Sequence, residues 1–216
     1  MYSFLDINHI FFTVLGYPMS YVEFFGTLFN IWCVWLVAKN KILNWPIGII
    51  GVVLFAALYW QIRLYSDLLE QFYYFVTGFW GWYVWTKGRR DGVELPVNTL
   101  KRSAYLMWGA IITGGTVVLT YLTTHLHLWY PAYFPEAASY AMLDAFTTVL
   151  SLVATIFMVR KQIENWYLWI FVDIIGIWLY WVKGVHLVAL LYVLFLAIAT
   201  HGLFTWLKIK RAAQKE

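Results

Sequence analysis

Charge is what this chain has least of. Only 12% of its 216 residues are Asp, Glu, Lys or Arg, where an ordinary soluble domain carries about 25%. A soluble fold of this size leaves about a third of its chain's surface wet, and this composition cannot cover that area with polar groups. A water-soluble globule is excluded, and a lipid bilayer is the solvent that fits. Cysteine is nearly missing: Cys33 stands alone, which rules out a disulfide framework. No His, Cys and carboxylate grouping has zinc spacing, and neither a phosphate loop nor a G-x-S-x-G elbow occurs. A retinal protein would need a lysine in the middle of its last span, whereas Lys183 and Lys208 lie at span ends. An enzyme, a cofactor and a bound metal are therefore not expected. The start, Met1 to Ser20, has no basic stretch of the kind a cleavable signal peptide needs. The net charge of +4 does not point to nucleic acid, because the basic residues sit between hydrophobic runs.

Apolar and aromatic residues are abundant: 62% hydrophobic, 21% aromatic and 14 Trp. Interfacial belts at helix ends do not use so many rings, so some of them face the protein interior, as packing or as a stacking site. About 20 apolar residues cross the hydrocarbon core as a helix. On that rule seven spans fall at 20–38, 43–63, 68–87, 103–124, 141–159, 164–183 and 187–207. The segment Ile7 to Tyr17 is too short to span and reads as a helix lying in the interface. The two longer connections are 88–102, which is charged, and 125–140, which holds Pro131 and Pro135. With the N-terminus outside and the C-terminus in the cytoplasm, thirteen of the fifteen Lys and Arg residues fall inside, leaving Arg63 and Lys183 outside, as the positive-inside rule requires.

A shift of 121 residues brings the two halves into register without a gap over about 65 positions. Asn44-Trp45 falls on Asn165-Trp166, Tyr59-Trp60 on Tyr180-Trp181, Gly81 on Gly202 and Trp85 on Trp206. Glu23 meets Asp144 and Thr27 meets Thr148. Three helices, one linker helix and three more place the second unit in the orientation of the first. The fold class is an all-α membrane protein with a 3+1+3 parallel repeat, a type found in transporters, which hold their solute near the midplane where the repeats meet. The expected organisation is an N-terminal segment 1–19, a first three-helix unit 20–87, a linker helix with loops 88–140, a second unit 141–207 and a basic tail 208–216. The fourth span is a connector with little chemistry.

Ionisable groups inside spans cost several kcal/mol unless paired or hydrated, so each is a functional candidate. Asp173 lies ten residues into the sixth span, about 15 Å along the axis. Asn165, Trp169, Gly176 and Tyr180 share its helix edge, giving an amide, an indole, a carboxylate, a gap and a phenol. That edge can line a polar aromatic pocket, or Asp173 can close an interhelical hydrogen-bond network. In the third span Gln71, Tyr74, Gly78, Trp82 and Trp85 form a second edge, whose amide suits a carboxamide or sugar hydroxyls or glues helices. Asn44 is the repeat-mate of Asn165, and Thr148 with Thr147 lies one turn below Asp144. Glu23 and Asp144 either line an outer entrance or are carboxylates favoured by the dipole at a helix start, the latter for Glu23. His201 is expected as a satisfied interior histidine.

At these residues the sequence resembles the PnuC family of bacterial nicotinamide riboside transporters. The resemblance rests on Asn165-Trp-Tyr-Leu-Trp-Ile-Phe-Val-Asp173 with Leu179-Tyr180, on Asn44-Trp-Pro-Ile-Gly48 through Trp85, and on Glu23-Phe-Phe-Gly26, and covers essentially the whole chain. It implies the seven-helix architecture also seen in sugar-carrying SWEET proteins, a homotrimer, and a place in the bacterial cytoplasmic (inner) membrane. It further implies facilitated diffusion of nicotinamide riboside, a vitamin B3 precursor for NAD biosynthesis, with a cytoplasmic kinase trapping the solute by phosphorylation. The candidate substrate-binding set is then Asp173, Trp169, Asn165, Tyr180, Gln71, Trp82, Asn44 and Thr148. The solute carries a pyridinium cation, a carboxamide and a ribose. Indole faces hold a flat cation at about 0.5–2 kcal/mol per contact, and a midplane carboxylate supplies the counter-charge. Thiamine, another aromatic cation, suits the same residues. A sugar carrier of this architecture and a non-transporting scaffold are the competing classes.

Overall fold

The computed structural model describes residues 4–14, 16–90, 95–131, 134 and 139–214; Pro135 and Lys215 lie outside the described residues. Among the described residues the chain forms seven helices and a two-stranded hairpin. The helices are α1 (Tyr21–Ala38), α2 (Asn44–Gln61), α3 (Tyr65–Arg90), α4 (Ala104–Trp129), α5 (Ala141–Val159), α6 (Glu164–Val182) and α7 (His186–Ala213). They follow the seven expected apolar runs. Six of them are long and apolar enough to cross a membrane. The exception is α3, whose Glu70, Gln71 and many Tyr and Trp residues lower its hydropathy. Large apolar side chains on the helix surfaces are open, Leu106 at 86% and Phe72 at 68%, far beyond what a soluble monomer exposes as contiguous patches. This is a multi-pass membrane protein.

The chain divides into two compact units, residues 1–96 with 204–216 and residues 97–203. In the first unit the N-terminal segment is a hairpin, not the interfacial helix expected: β1 (Ile10–Val14) pairs antiparallel with β2 (Tyr17–Ser20). Ile10-Phe-Phe-Thr-Val14 is a run of β-branched and aromatic residues, which suit a pleated strand, and Gly16 at φ +83 makes the turn. A lone hairpin is marginal in water, so this one is tied down. Phe11 and Phe12 pack on Phe24 at centroid distances of 5.1 and 5.4 Å. Gln61 accepts from Ile7 N at 3.2 Å and donates to Leu5 O at 2.7 Å.

Helix α1 starts with a capping arrangement: Glu23 N donates to Ser20 Oγ at 3.3 Å, and Tyr17 Oη donates to Glu23 Oε1 at 2.7 Å. Glu23 is thus a helix-start carboxylate. Burial, then the hydrogen bond to Glu23 and its charge, push the Tyr17 phenol up to about 12. Its neutral, donating form therefore persists at all ordinary pH, and the contribution is lost only as pH rises through about 12.

The offset of 121 residues reappears in the backbone. Helix α1 ends through Asn40 at φ 53 and α5 through Lys161 at φ 52. Lys41 N donates to Leu36 O at 2.9 Å, and Gln162 N to Phe157 O at 2.8 Å, the closing bond of a Schellman turn. Asn44 Nδ2 then donates to Lys41 O and Asn165 Nδ2 to Gln162 O, both at 2.6 Å. At the far ends, Arg63 (φ 60) and Gly184 (φ 76) take the same left-handed position. A tight contact of a Trp ring on a glycine also recurs at the same offset. The Trp45 indole lies against Gly81, and the Trp166 indole against Gly202.

In the second unit α4 packs on α5 around Val149, Val153 and Phe157, with Trp108, Ile112 and Leu119 against them. The stretch before α4 is pinned to the α5–α6 turn. Asn98 N donates to Lys161 O at 3.0 Å, and Ile163 N to Asn98 O at 2.9 Å. Tyr105 Oη donates to Glu164 Oε1 at 2.6 Å.

A Cβ at Gly202 would lie 2.6 Å from the Trp166 ring, and Trp166 is 1% exposed with nowhere to retreat. G202A is expected to destabilise the protein by about 1–3 kcal/mol through overpacking, read as a lowered thermal midpoint in detergent. At Gly109, where a Cβ meets nothing within 4 Å, G109A should not lower it.

Candidate functional site

Asp173 is 4% exposed on α6, and among the described residues no hydrogen-bond donor or cation is paired with its carboxylate. A buried, unpaired carboxylate is expensive in hydrocarbon, so this residue stores a demand for positive charge. One turn on, Gly176 is buried because the Tyr192 ring of α7 lies over it; a Cβ there would stand 2.5 Å from Tyr192 Cδ1. Tyr192 in turn stacks on Tyr180 with centroids 5.4 Å apart and planes at 20°, and meets Phe195 edge-on at 6.4 Å. A carboxylate, a gap and two parallel phenols therefore succeed one another along α6. Trp169, one turn before Asp173, is half-buried, as is Thr148 on α5.

The remaining candidates divide. Asn165 and Asn44 are fully buried, but each commits its Nδ2 to its own turn, leaving only Oδ1 without a partner. Their amides hold turns at the starts of α6 and α2. The α3 edge splits as well. Trp85 is buried, edge-on to Trp45 at 5.4 Å, and Gly78 meets Ile49. Trp82, expected beside them, is 40% exposed and lies along Phe79, because the buried stripe of α3 runs through Gly78, Gly81 and Trp85. Gln71 is half-buried. His201, expected inside, is exposed. Asp144 pairs with Lys183 Nζ at 3.5 Å. A cavity of about 420 Å³ lies elsewhere, bounded by Ile7, Asn8, Trp60, Gln61 and Arg63.

Tyr192 is not in the candidate set; it stands on Gln71 in the 121-residue register, where an amide is exchanged for a phenol.

Long apolar helices, one of which buries an unpaired carboxylate, define the class: a multi-pass membrane protein. The family model described as "Nicotinamide mononucleotide transporter" matches residues 20–208. The nicotinamide riboside transporter PnuC of Escherichia coli strain K12 is 31% identical over 91% of this chain and 89% of its own length. The PnuC of Neisseria mucosa is 28% identical over 89% of this chain and 74% of its own. The riboflavin/roseoflavin transporter RibM of Streptomyces davaonensis is 24% identical over 93% of this chain and 91% of its own. A solved structure, the crystal structure of the vitamin B3 transporter PnuC, superposes with a TM-score of 0.65 at 26% identity, covering 89% of this chain and 81% of that one. The chain belongs to the nicotinamide mononucleotide transporter family of membrane transporters, the PnuC family.

G176A should push Tyr192 off its seat and break the stack on Tyr180, worth about 0.5–1.5 kcal/mol beyond the area it buries. The expected outcome is a quenched or shifted tyrosine–tryptophan near-ultraviolet circular dichroism signal with the far-ultraviolet helix signal intact.

Proposed function

We propose that this chain carries nicotinamide riboside across the bacterial cytoplasmic membrane by facilitated diffusion, with the N-terminus outside and the C-terminus in the cytoplasm. The observation that carries the reading is Asp173, buried without a partner and followed along its helix by the Tyr180–Tyr192 stack. A pyridinium ring meets both demands at once: its charge answers the carboxylate, and its face lies on a phenol at about 0.5–2 kcal/mol. Trp169 and Thr148 are the further lining candidates of the same unit. Helix α3 is read as the third span, which brings the six apolar helices to the seven of a 3+1+3 repeat, and the assembly as a homotrimer.

The riboside is favoured over the mononucleotide on charge. A phosphate brings about two negative charges that need Arg or Lys, yet the Lys and Arg residues of this chain sit at helix ends and in connections, never between Asn44 and Gln61 or Glu164 and Val182. Beside Asp173 a phosphate would be repelled. Passive entry of a neutral-to-cationic nucleoside also needs a sink, which phosphorylation in the cytoplasm supplies. RibM, named for riboflavin, favours a second reading in which the stack takes a larger, uncharged flavin ring and Asp173 only supports the helix packing.

Thermal shifts of the detergent-solubilised protein separate these. At 100 times its Kd a solute stabilises by about 2.7 kcal/mol. Nicotinamide riboside should raise the midpoint, while nicotinamide mononucleotide and sucrose should not. D173N should remove the response to the riboside. A response to riboflavin that survives D173N would favour the second reading, thiamine acting like the riboside would widen the substrate class, and silence toward every solute would favour a scaffold.

A further inference from the structure

The face of α6 that carries Asp173, Gly176 and Tyr180 continues to Lys183, at successive spacings of three, four and three residues. At that end Lys183 Nζ is 3.5 Å from Asp144 Oδ2, 5.8 Å from the Tyr140 ring centroid and 5.9 Å from that of Tyr180. A carboxylate and two phenol faces around one ammonium make a site for a cation, and the chain fills it with its own side chain. We propose that Asp144, Tyr140 and Tyr180 form an outer subsite for the cationic aromatic solute, held by Lys183 as a tethered occupant that the arriving solute displaces. The proposal rests on the carrier reading above.

Four observations bear on it. Lys183 and Asp144 are 31% and 44% exposed, so the pair is hydrated, screened and opened readily. Both ring distances are near the 6 Å limit of a cation–π contact, so a flat pyridinium lying on a phenol gains more than the ammonium it replaces. A compact, strongly hydrated ammonium on a flexible stem withdraws easily into water. The geometry is also a filter, because a simple metal cation or an amine offers charge without a face to stack and has little advantage over Lys183.

The subsite is built, not inherited from the repeat. In the 121-residue register Ile62 stands where Lys183 does, Met19 where Tyr140 does and Phe55 where Gly176 does. The first unit keeps an acid and a tyrosine, but Glu23 accepts from Tyr17 there and is paired with no cation among the described residues. Tyr140 is presented from the left-handed region, φ 58, at the start of α5. That backbone is costly for a ring-bearing residue and persists where the surroundings enforce it; here Trp178 braces the ring edge-on at 5.8 Å. Tyr180 belongs both to this cluster and to the stack beside Gly176, so a solute passing from Asp144 toward Asp173 stays on aromatic surface throughout.

Uptake of nicotinamide riboside and of its neutral reduced form, dihydronicotinamide riboside, into whole cells tests this, since cells present one face only. K183A should lower KM for the cation about threefold to fivefold and shift KM for the neutral compound much less. D144N should raise KM for the cation with the same charge selectivity, and K183R should restore wild-type values. Equal shifts for both compounds, or none for either while K183R is also silent, would show the pair to be merely structural and overturn the proposal. Wild-type cells that take up neither compound would overturn the carrier reading, and the subsite with it.

Discussion

The solvent around most of this chain cannot accept a hydrogen bond, and the rest of the structure follows from that. In hydrocarbon every backbone polar group must be paired inside its own segment, which is why the apolar runs are helices and why their ends are so carefully closed. The connections α1–α2 and α5–α6 show the solution twice. A left-handed residue reverses the chain, the last carbonyls receive backbone donors, and an asparagine amide seals the turn. A polar side chain that is left open in such a setting is costly, which gives Asp173 its meaning.

Packing is handled by pairing the largest side chain with the smallest. Lipid tails are as apolar as the helices, so helix association inside a membrane rests on close van der Waals fit more than on water exclusion. Trp45 on Gly81 and Trp166 on Gly202 achieve that fit with a flat ring on bare backbone, and each joins a helix to the next one in the chain. The high tryptophan content thus has a structural use distinct from ligand stacking. Sequence composition alone does not separate the two.

The two units share their turns and their Trp-on-glycine contacts, and differ where chemistry is placed. Asp173, Gly176, Lys183 and Tyr192 fall on Val52, Phe55, Ile62 and Gln71. The first three add polarity or room along α6 and at its end, and the fourth trades an amide for a ring on α7. The closing devices recur at the offset of 121 residues, and the polar groups along α6 do not. The polar ladder therefore lies in the second unit, where a carboxylate can be isolated without weakening the helix ends.

From the sequence alone the lipid environment, seven helices with ends mostly within a few residues, the offset of 121 and the place of Asp173 inside a helix were all legible, because hydropathy, charge placement and helical period act locally. The N-terminal hairpin was misread because a short aromatic run has no period that separates strand from helix, and the turn at Gly16 decided it. Side-chain partners were not legible. That Trp82 faces outward while Trp85 is buried, and that Tyr192 covers Gly176, depend on which neighbouring helix lies within a few ångströms. Such distances are set by packing between segments far apart in the chain, and only the tertiary structure fixes them.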